Sequence, residues 1–167
     1  MKVVLAYSGG LDTSAAVAWL KQEKAAWVHA VLVDVGQQED FEALRLRAYQ
    51  LGADQVTIAD KKNELVEKGI LPMLQLGATY EKDYLLGTAI ARPFIADALV
   101  EAALESGASA VCHGATGKGN DYLRFEQRIK ILAPGLQIIS PWREWKCGGR
   151  EDALKWVESA GVQIAKK

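Results

Sequence analysis

Short apolar runs rich in β-branched residues alternate along this chain with longer stretches in which apolar side chains recur at helical spacing. Val3, Val4, Leu5 and Ala6 form the first run, ended by Gly9 and Gly10, as expected of a strand covered on both faces. Thr13 to Lys24 follows with no Pro or Gly and carries Ala15, Ala16, Ala18, Trp19 and Leu20, so propensity and packing both predict a helix. Val28 to Val35 is β-branched and almost uncharged until Asp34, again like an interior parallel strand. Strand, helix and strand make a first βαβ unit. Phe41 to Leu51, closed by Gly52, predicts a second helix, and Gln55 to Ala59, ending at Asp60, a third strand.

Between Lys61 and Tyr84 the pattern is interrupted by Gly69, Pro72 and Gly77, which predicts a broken helix and an irregular loop. Ile90, Phe94, Ile95, Ala98, Leu99 and Ala102 then recur at helical spacing, predicting a helix from Ile90 to Leu104 with Gly107 as its stop. Ala110 to Cys112 predicts a short strand running into His113 and Gly114. A glycine-bearing loop to Asp121 and a helix from about Leu123 to Leu132 follow, ended by Pro134, and Leu136 to Ile139 is the last strand. Beyond Pro141 come Trp142 and Trp145, the pair Gly148 and Gly149, and a terminal helix from Glu151 to Ala160 closed by Gly161. The sum is an α/β fold: a doubly wound, mainly parallel five-stranded sheet with helices on both faces, Rossmann-like, whose ligands belong at the carboxyl ends of the strands.

Composition narrows the function. The chain has 167 residues, half of them apolar, enough for one domain with a continuous core. Its 20 basic and 21 acidic residues leave a net charge of −1, so no global field recruits nucleic acid and any anion site must be local. Cys112 and Cys147 match no metal-ligand spacing and read as free thiols of a reducing compartment. The apolar stretch from Val3 to Tyr7 is too short for a signal peptide or membrane span. A cytoplasmic protein that does not engage membranes is expected.

Two loops carry candidate chemistry. Tyr7-Ser8-Gly9-Gly10-Leu11-Asp12-Thr13-Ser14 leaves the first strand and opens the first helix, where backbone N–H groups and the helix dipole can hold an anion. The glycines permit close approach of phosphate, Ser8, Thr13 and Ser14 offer hydroxyls, and Asp12 could hold a magnesium ion. Neither a Walker loop nor a G-x-G-x-x-G fingerprint is present. The plainer alternative is a tight turn with an ordinary helix cap. In the second loop Gly114, Gly117 and Gly119 free the backbone, while Lys118, Asn120, Asp121 and Arg124 crowd polar groups at a strand end, as a small polar ligand requires. His113 beside it is read as structural rather than as an acid or base.

The pattern S-G-G-x-D-[ST]-[ST] after an N-terminal strand resembles the pyrophosphate loop of the N-type ATP pyrophosphatases. Tyr80 to Pro93, Y-E-K-D-Y-L-L-G-T-A-I-A-R-P, resembles a signature of the argininosuccinate synthases. So do His113 to Asp121, followed by Arg124-Phe125-Glu126, and Pro141-Trp142-Arg143-Glu144-Trp145. The resemblance runs from residue 2 to about residue 164.

It implies an ATP-dependent carbon–nitrogen ligase of arginine biosynthesis, joining L-citrulline to L-aspartate through citrullyl-AMP and releasing AMP and pyrophosphate. ATP and Mg2+ would be bound by Ala6, Tyr7, Ser8, Gly9, Gly10, Leu11, Asp12, Thr13 and Ser14, with Val33 against the adenine through its backbone, Gly114 touching ATP and Asp12 on the metal. Thr116, Asn120 and Asp121 would bind aspartate, and Tyr84, Asn120 and Arg124 citrulline, with Thr88 and Ala89 in the same pocket. Asp12, Asp121 and Arg124 are the catalytic candidates. Ala89 stands where the family usually has serine, Val33 where a smaller residue is common, and Gln38 where glycine is common. Family members are homotetramers more than twice as long. Residues 1–167 are therefore expected to be the single ATP-binding domain, without the synthetase and tetramerisation domain and inactive alone. A non-catalytic adenine-nucleotide-binding module is the alternative. An ATP pyrophosphatase acting on tRNA or a nucleobase is disfavoured by the absence of a basic or cysteine-rich segment.

Overall fold

A computed structural model describes residues 1–117, 119–145 and 150–162. Lys118, Cys147, Gly148 and Gly149, singled out above, lie outside the described residues. Among the described residues, five strands form one sheet: β1 (Lys2–Ala6), β2 (Trp27–Asp34), β3 (Gln55–Asp60), β4 (Ala110–Cys112) and β5 (Gln137–Ile139), in the order β3-β2-β1-β4-β5. All four pairings are parallel, with Val3 opposite both Val28 and Ala110. The expected fold class stands.

Period-two alternation divides the core. Val3, Leu5 and Tyr7 face α1 (Leu11–Gln22), α2 (Phe41–Gln50) and α8 (Arg150–Ser159), whereas Val4, Val31, Val33 and Val111 face α5 (Gly87–Ser106) and α6 (Asn120–Leu132). A short α7 (Pro141–Glu144) carries Trp142, and Trp145, which follows it, packs edge-on to Trp19 of α1.

The expected breaks between Lys61 and Tyr84 are fewer than the glycines suggest. Lys62–Leu65 (α3), a π-helical segment Val66–Ile70 and Leu71–Gln75 (α4) run on without interruption. Gly69 is a packing residue there, because a Cβ on it would lie 2.7 Å from Ile90 Cγ2 of α5. Pro72 stands at the start of α4, directly after the π-helical segment, and the helical run continues through it. The chain then pairs Tyr80 with Tyr84 in an isolated antiparallel bridge.

The strand order places the site. From β1 the chain moves outward to β2 and β3, then returns through α5 to β4 on the other side of β1. The loops after β1 and β4 therefore diverge to opposite faces and leave a crevice at their carboxyl ends. Among the described residues, no helix is long and apolar enough to cross a membrane.

Candidate functional site

The loop after β1 is built by a left-handed glycine and two hydroxyls. Tyr7 N–H still bonds Val31 O at 2.9 Å, extending the sheet by one residue before the chain turns. Gly9 has φ +73, and a Cβ on it would stand 2.2 Å from Leu44 Cδ2 of α2. Gly9 therefore lets α2 close against the back of the turn rather than opening its front, and Arg47 Nη1 donates to its carbonyl at 3.4 Å. Gly10 is the N-cap of α1 in extended conformation and brings no side-chain oxygen to the helix's first N–H groups. Thr13 Oγ1 accepts from Ser8 N–H at 3.3 Å, lies 3.2 Å from Ser8 Oγ and donates to Gly10 O at 3.3 Å, so one hydroxyl ties both limbs of the turn. Ser14 is fully buried, 3.5 Å from the Tyr7 hydroxyl, whose ionisation burial pushes up.

The loop after β4 leans on this turn. Gly114 is so near α1 that an added Cβ would meet Thr13 Cγ2 at 2.9 Å. His113 is completely buried, stacked on Phe125 with ring centroids 5.2 Å apart, and Ala115 N–H donates to its Nδ1 at 3.3 Å. Burial lowers its pKa to about 4, so the ring is neutral near pH 7 and packs as a structural residue. Cys112, also fully buried, has its thiol pushed far up by desolvation and is no nucleophile. Gly119, in extended conformation, caps α6, which begins at Asn120, three residues before the expected start. Asn120 and Asp121 thus belong to a helical first turn, where a carboxylate suits the dipole. Asp121 receives Arg92 Nε at 2.9 Å and Arg124 Nη1 at 2.9 Å.

Between these loops lies a cleft of about 860 Å³. Ala6, Tyr7, Ser8, Gly10, Leu11, Asp12 and Thr13 line it from the first loop, Val33 from β2, and Thr88 from α5. Gly114, Thr116, Asn120 and Asp121 close it from the second loop. Gly9 and Ser14 stand behind the first loop, and Arg124 reaches the site only through Asp121. Tyr84 lies half-exposed at the Tyr80–Tyr84 bridge, away from the cleft lining.

Helical periodicity separates Thr88 from Ala89. Thr88, Ala91, Arg92 and Ile95 turn to the cleft, whereas Ala89, Ile90, Pro93 and Phe94 line a different depression against the π-helical segment. The resemblance to the family places both residues in one pocket, and the helix expected from Ile90 in fact begins at Gly87. Sequence reasoning also passed over Arg92, although Arg92 stands inside the quoted Tyr80 to Pro93 motif, and over Gln37, which lines the cleft beside Val35 and Gly36. Among the described residues, no three His, Cys, Asp or Glu side chains gather as a metal cage. A cation at Asp12 would accordingly share its coordination with ligand oxygens, the usual habit of magnesium.

Comparison with known proteins agrees with this architecture. Residues 2–163 match the family model for the arginosuccinate synthase N-terminal HUP domain. The chain is 55% identical over 163 residues to the argininosuccinate synthase of Caldicellulosiruptor saccharolyticus, covering 98% of this chain and 40% of that protein. It is 54% identical to that of Carboxydothermus hydrogenoformans, covering 98% and 41%, and 50% identical to that of Koribacter versatilis, covering 98% and 40%. The chain thus spans about 40% of the length of the curated relatives it matches.

Two solved structures share the fold at low identity. One is described as a predicted subunit of tRNA methyltransferase from Methanocaldococcus jannaschii, with a TM-score of 0.57, 16% identity and coverage of 93% of this chain and 74% of that one. The other is the NAD+ synthetase of Burkholderia pseudomallei, with a TM-score of 0.51, 19% identity and coverage of 95% and 81%. With its motifs in the family's order and half or slightly more of the aligned residues identical to such relatives, the chain belongs to the argininosuccinate synthase family, matching its N-terminal HUP domain.

Proposed function

We propose that residues 1–167 form the ATP-binding domain of an argininosuccinate synthase and supply the nucleotide side of the ATP-dependent joining of L-citrulline to L-aspartate. The observation that carries this reading is the convergence of two loops on one cleft: the Ser8–Thr13 turn, with the N-terminus of α1 behind it, faces the first turn of α6 across the sheet's crevice. In the proposed arrangement the triphosphate lies over the N–H groups at the start of α1, where the macrodipole favours negative charge. Ser8 and Thr13 border it, and Gly114 keeps the opposite loop close. Asp12, together with phosphate oxygens, would hold Mg2+, which supplies Lewis-acid stabilisation of the departing pyrophosphate. Thr88, Thr116, Asn120 and Asp121 line the part of the cleft available to the amino-acid substrates. Arg92 and Arg124 fix the Asp121 carboxylate, and in this role they are positioning residues.

The chemistry expected is attack of the ureido oxygen of citrulline on the α-phosphorus of ATP, followed by displacement of AMP by the amine of aspartate. Such a step depends on holding the two reactants in line. Of the residues assigned to the citrulline pocket by resemblance, Thr88 and Asn120 line the cleft, whereas Tyr84, Ala89 and Arg124 do not; an incomplete set favours a second reading of the 167-residue chain as a nucleotide-binding module without turnover. Titration calorimetry with MgATP tests the first claim: saturable one-to-one heat is expected, and no heat sinks it. Pyrophosphate release in the presence of both amino acids then separates the ligase from the binding module.

A further inference from the structure

At the carboxyl end of β2 the protein hydrogen-bonds a short backbone edge with one of its own side chains. The chain turns over Gly36, which has φ +95 and donates its N–H to Asp34 Oδ1 at 2.9 Å. The turn therefore has its own anchor. From the next position Gln37 reaches back: its Nε2 donates to Val33 O at 2.8 Å, and its Oε1 accepts from Val35 N–H at 2.8 Å. Val33, Val35 and Gln37 all border the cleft, with Ile95 among its apolar walls.

A carbonyl followed two residues later by an N–H is an acceptor–donor edge. Its complement is a planar group carrying an N–H donor beside an acceptor. A primary carboxamide has that arrangement, and so does adenine, whose exocyclic N6–H2 adjoins the N1 acceptor. Guanine presents the opposite polarity there, O6 beside N1–H, and would set carbonyl against carbonyl and N–H against N–H. A site built to pair such groups rejects a ligand that leaves them unpaired.

We propose that the Gln37 carboxamide is an internal mimic of adenine, competing with the base of ATP for the Val33–Val35 edge and swinging aside when the nucleotide binds. The inference rests on the ATP reading above and adds a residue that sets affinity, base choice remaining with the Val33–Val35 edge. The edge need never stay unpaired, because carboxamide and base make equivalent bonds in turn. The same exchange lowers apparent affinity, since only molecules with the carboxamide withdrawn can accept the base. Selection for adenine is thereby kept while binding is made weaker than the contacts alone would give.

Gln37→Met keeps length and bulk but can make neither bond. Calorimetry on the wild type and on this variant, with MgATP, MgGTP and inorganic tripolyphosphate, should show ATP binding tightened roughly three- to tenfold, as for a competitor that holds the edge about 70–90% of the time. Tripolyphosphate binding should not change, and ATP should remain preferred over GTP. In the wild type, the side-chain NH2 resonances of Gln37 should shift on addition of MgATP and stay in place with tripolyphosphate, a readout that needs no folded variant. Unchanged or weakened ATP binding by a variant that melts normally overturns the mimic, as do Gln37 resonances unmoved at saturating ATP. In either case measurable ATP binding leaves the nucleotide-site reading standing, whereas a wild type that binds no ATP removes both.

Discussion

Gly114 and Thr13, separated by a hundred residues of chain, are pressed together so closely that a Cβ on Gly114 would stand 2.9 Å from Thr13 Cγ2. The contact joins the loop after β4 to the first turn of α1 and so sets the width of the cleft at its floor. Gly114→Ala should cost about 1–3 kcal/mol of stability by overpacking and weaken MgATP binding. Thr13→Ser removes the opposing methyl but keeps the hydroxyl that ties Ser8 to Gly10. The double variant should therefore recover most of both losses. Urea unfolding and calorimetry on the four proteins of the cycle measure the coupling, and additive losses would refute a steric origin.

Gly9 is expected to be a folding residue first and a phosphate residue second. A Cβ there would meet Leu44 Cδ2 at 2.2 Å, and the backbone sits at φ +73. Left-handed backbone costs a non-glycine residue about 1–2 kcal/mol and overpacking about 1–3 kcal/mol more. Gly9→Val should thus lower the urea midpoint sharply. Gly10→Ala, at φ −70 with its nearest neighbour 3.5 Å away, should leave the midpoint almost unchanged. Equal midpoints for the two variants would contradict this division.

His113 should make the fold sensitive to mild acid. Its folded pKa, about 4, lies below the ordinary 6.5 because burial disfavours the imidazolium. Between those values the unfolded chain takes up a proton that the folded chain does not. The stabilisation is therefore complete above 6.5 and is lost as pH falls towards 4. From pH 7 to pH 5 the loss from this residue should be about 2 kcal/mol. His113→Leu, less stable at neutral pH for want of an acceptor for Ala115 N–H, should show a slope shallower by that amount in urea unfolding at the two pH values.

The Arg92–Asp121 pair should matter more to geometry than to stability. Both side chains are about one-third exposed, and pairs in that setting couple by about 0.2–1 kcal/mol. A double-mutant cycle of Arg92→Ala and Asp121→Ala, read by thermal unfolding, should give a coupling in that range that shrinks as salt is added. A larger, salt-independent value would mean that the pair is desolvated.

The sheet and its helices could be read from residue order because each rests on local pattern. Val3 to Ala6, Val28 to Val35 and Ala110 to Cys112 are predominantly apolar runs of strand length, and Gly107 ends α5 at φ +64 as a C-terminal glycine should. Both candidate loops were legible for the same reason, since Gly9-Gly10 and Gly114 to Gly119 interrupt that pattern at strand ends. Gly69 and Pro72 misled because a pattern of breakers says nothing of what packs on them. The space left by Gly69 is taken by Ile90, 21 residues later.

Only the tertiary structure decided which residues share the cleft. Thr88 and Ala89 are neighbours in sequence, but a helix turns about 100° per residue and sends them to different depressions. The crowding of Gly114 against Thr13, the clasp of Arg92 and Arg124 on Asp121, and the direction in which Gly9 would project a Cβ depend on how β1, β4 and their helices sit across the sheet. The sequence by itself determined the fold class, the family and the two loops, because these follow from local periodicity and motif. The grouping and orientation of side chains at the site required the packing of distant elements, because burial and contact are properties of distance in space.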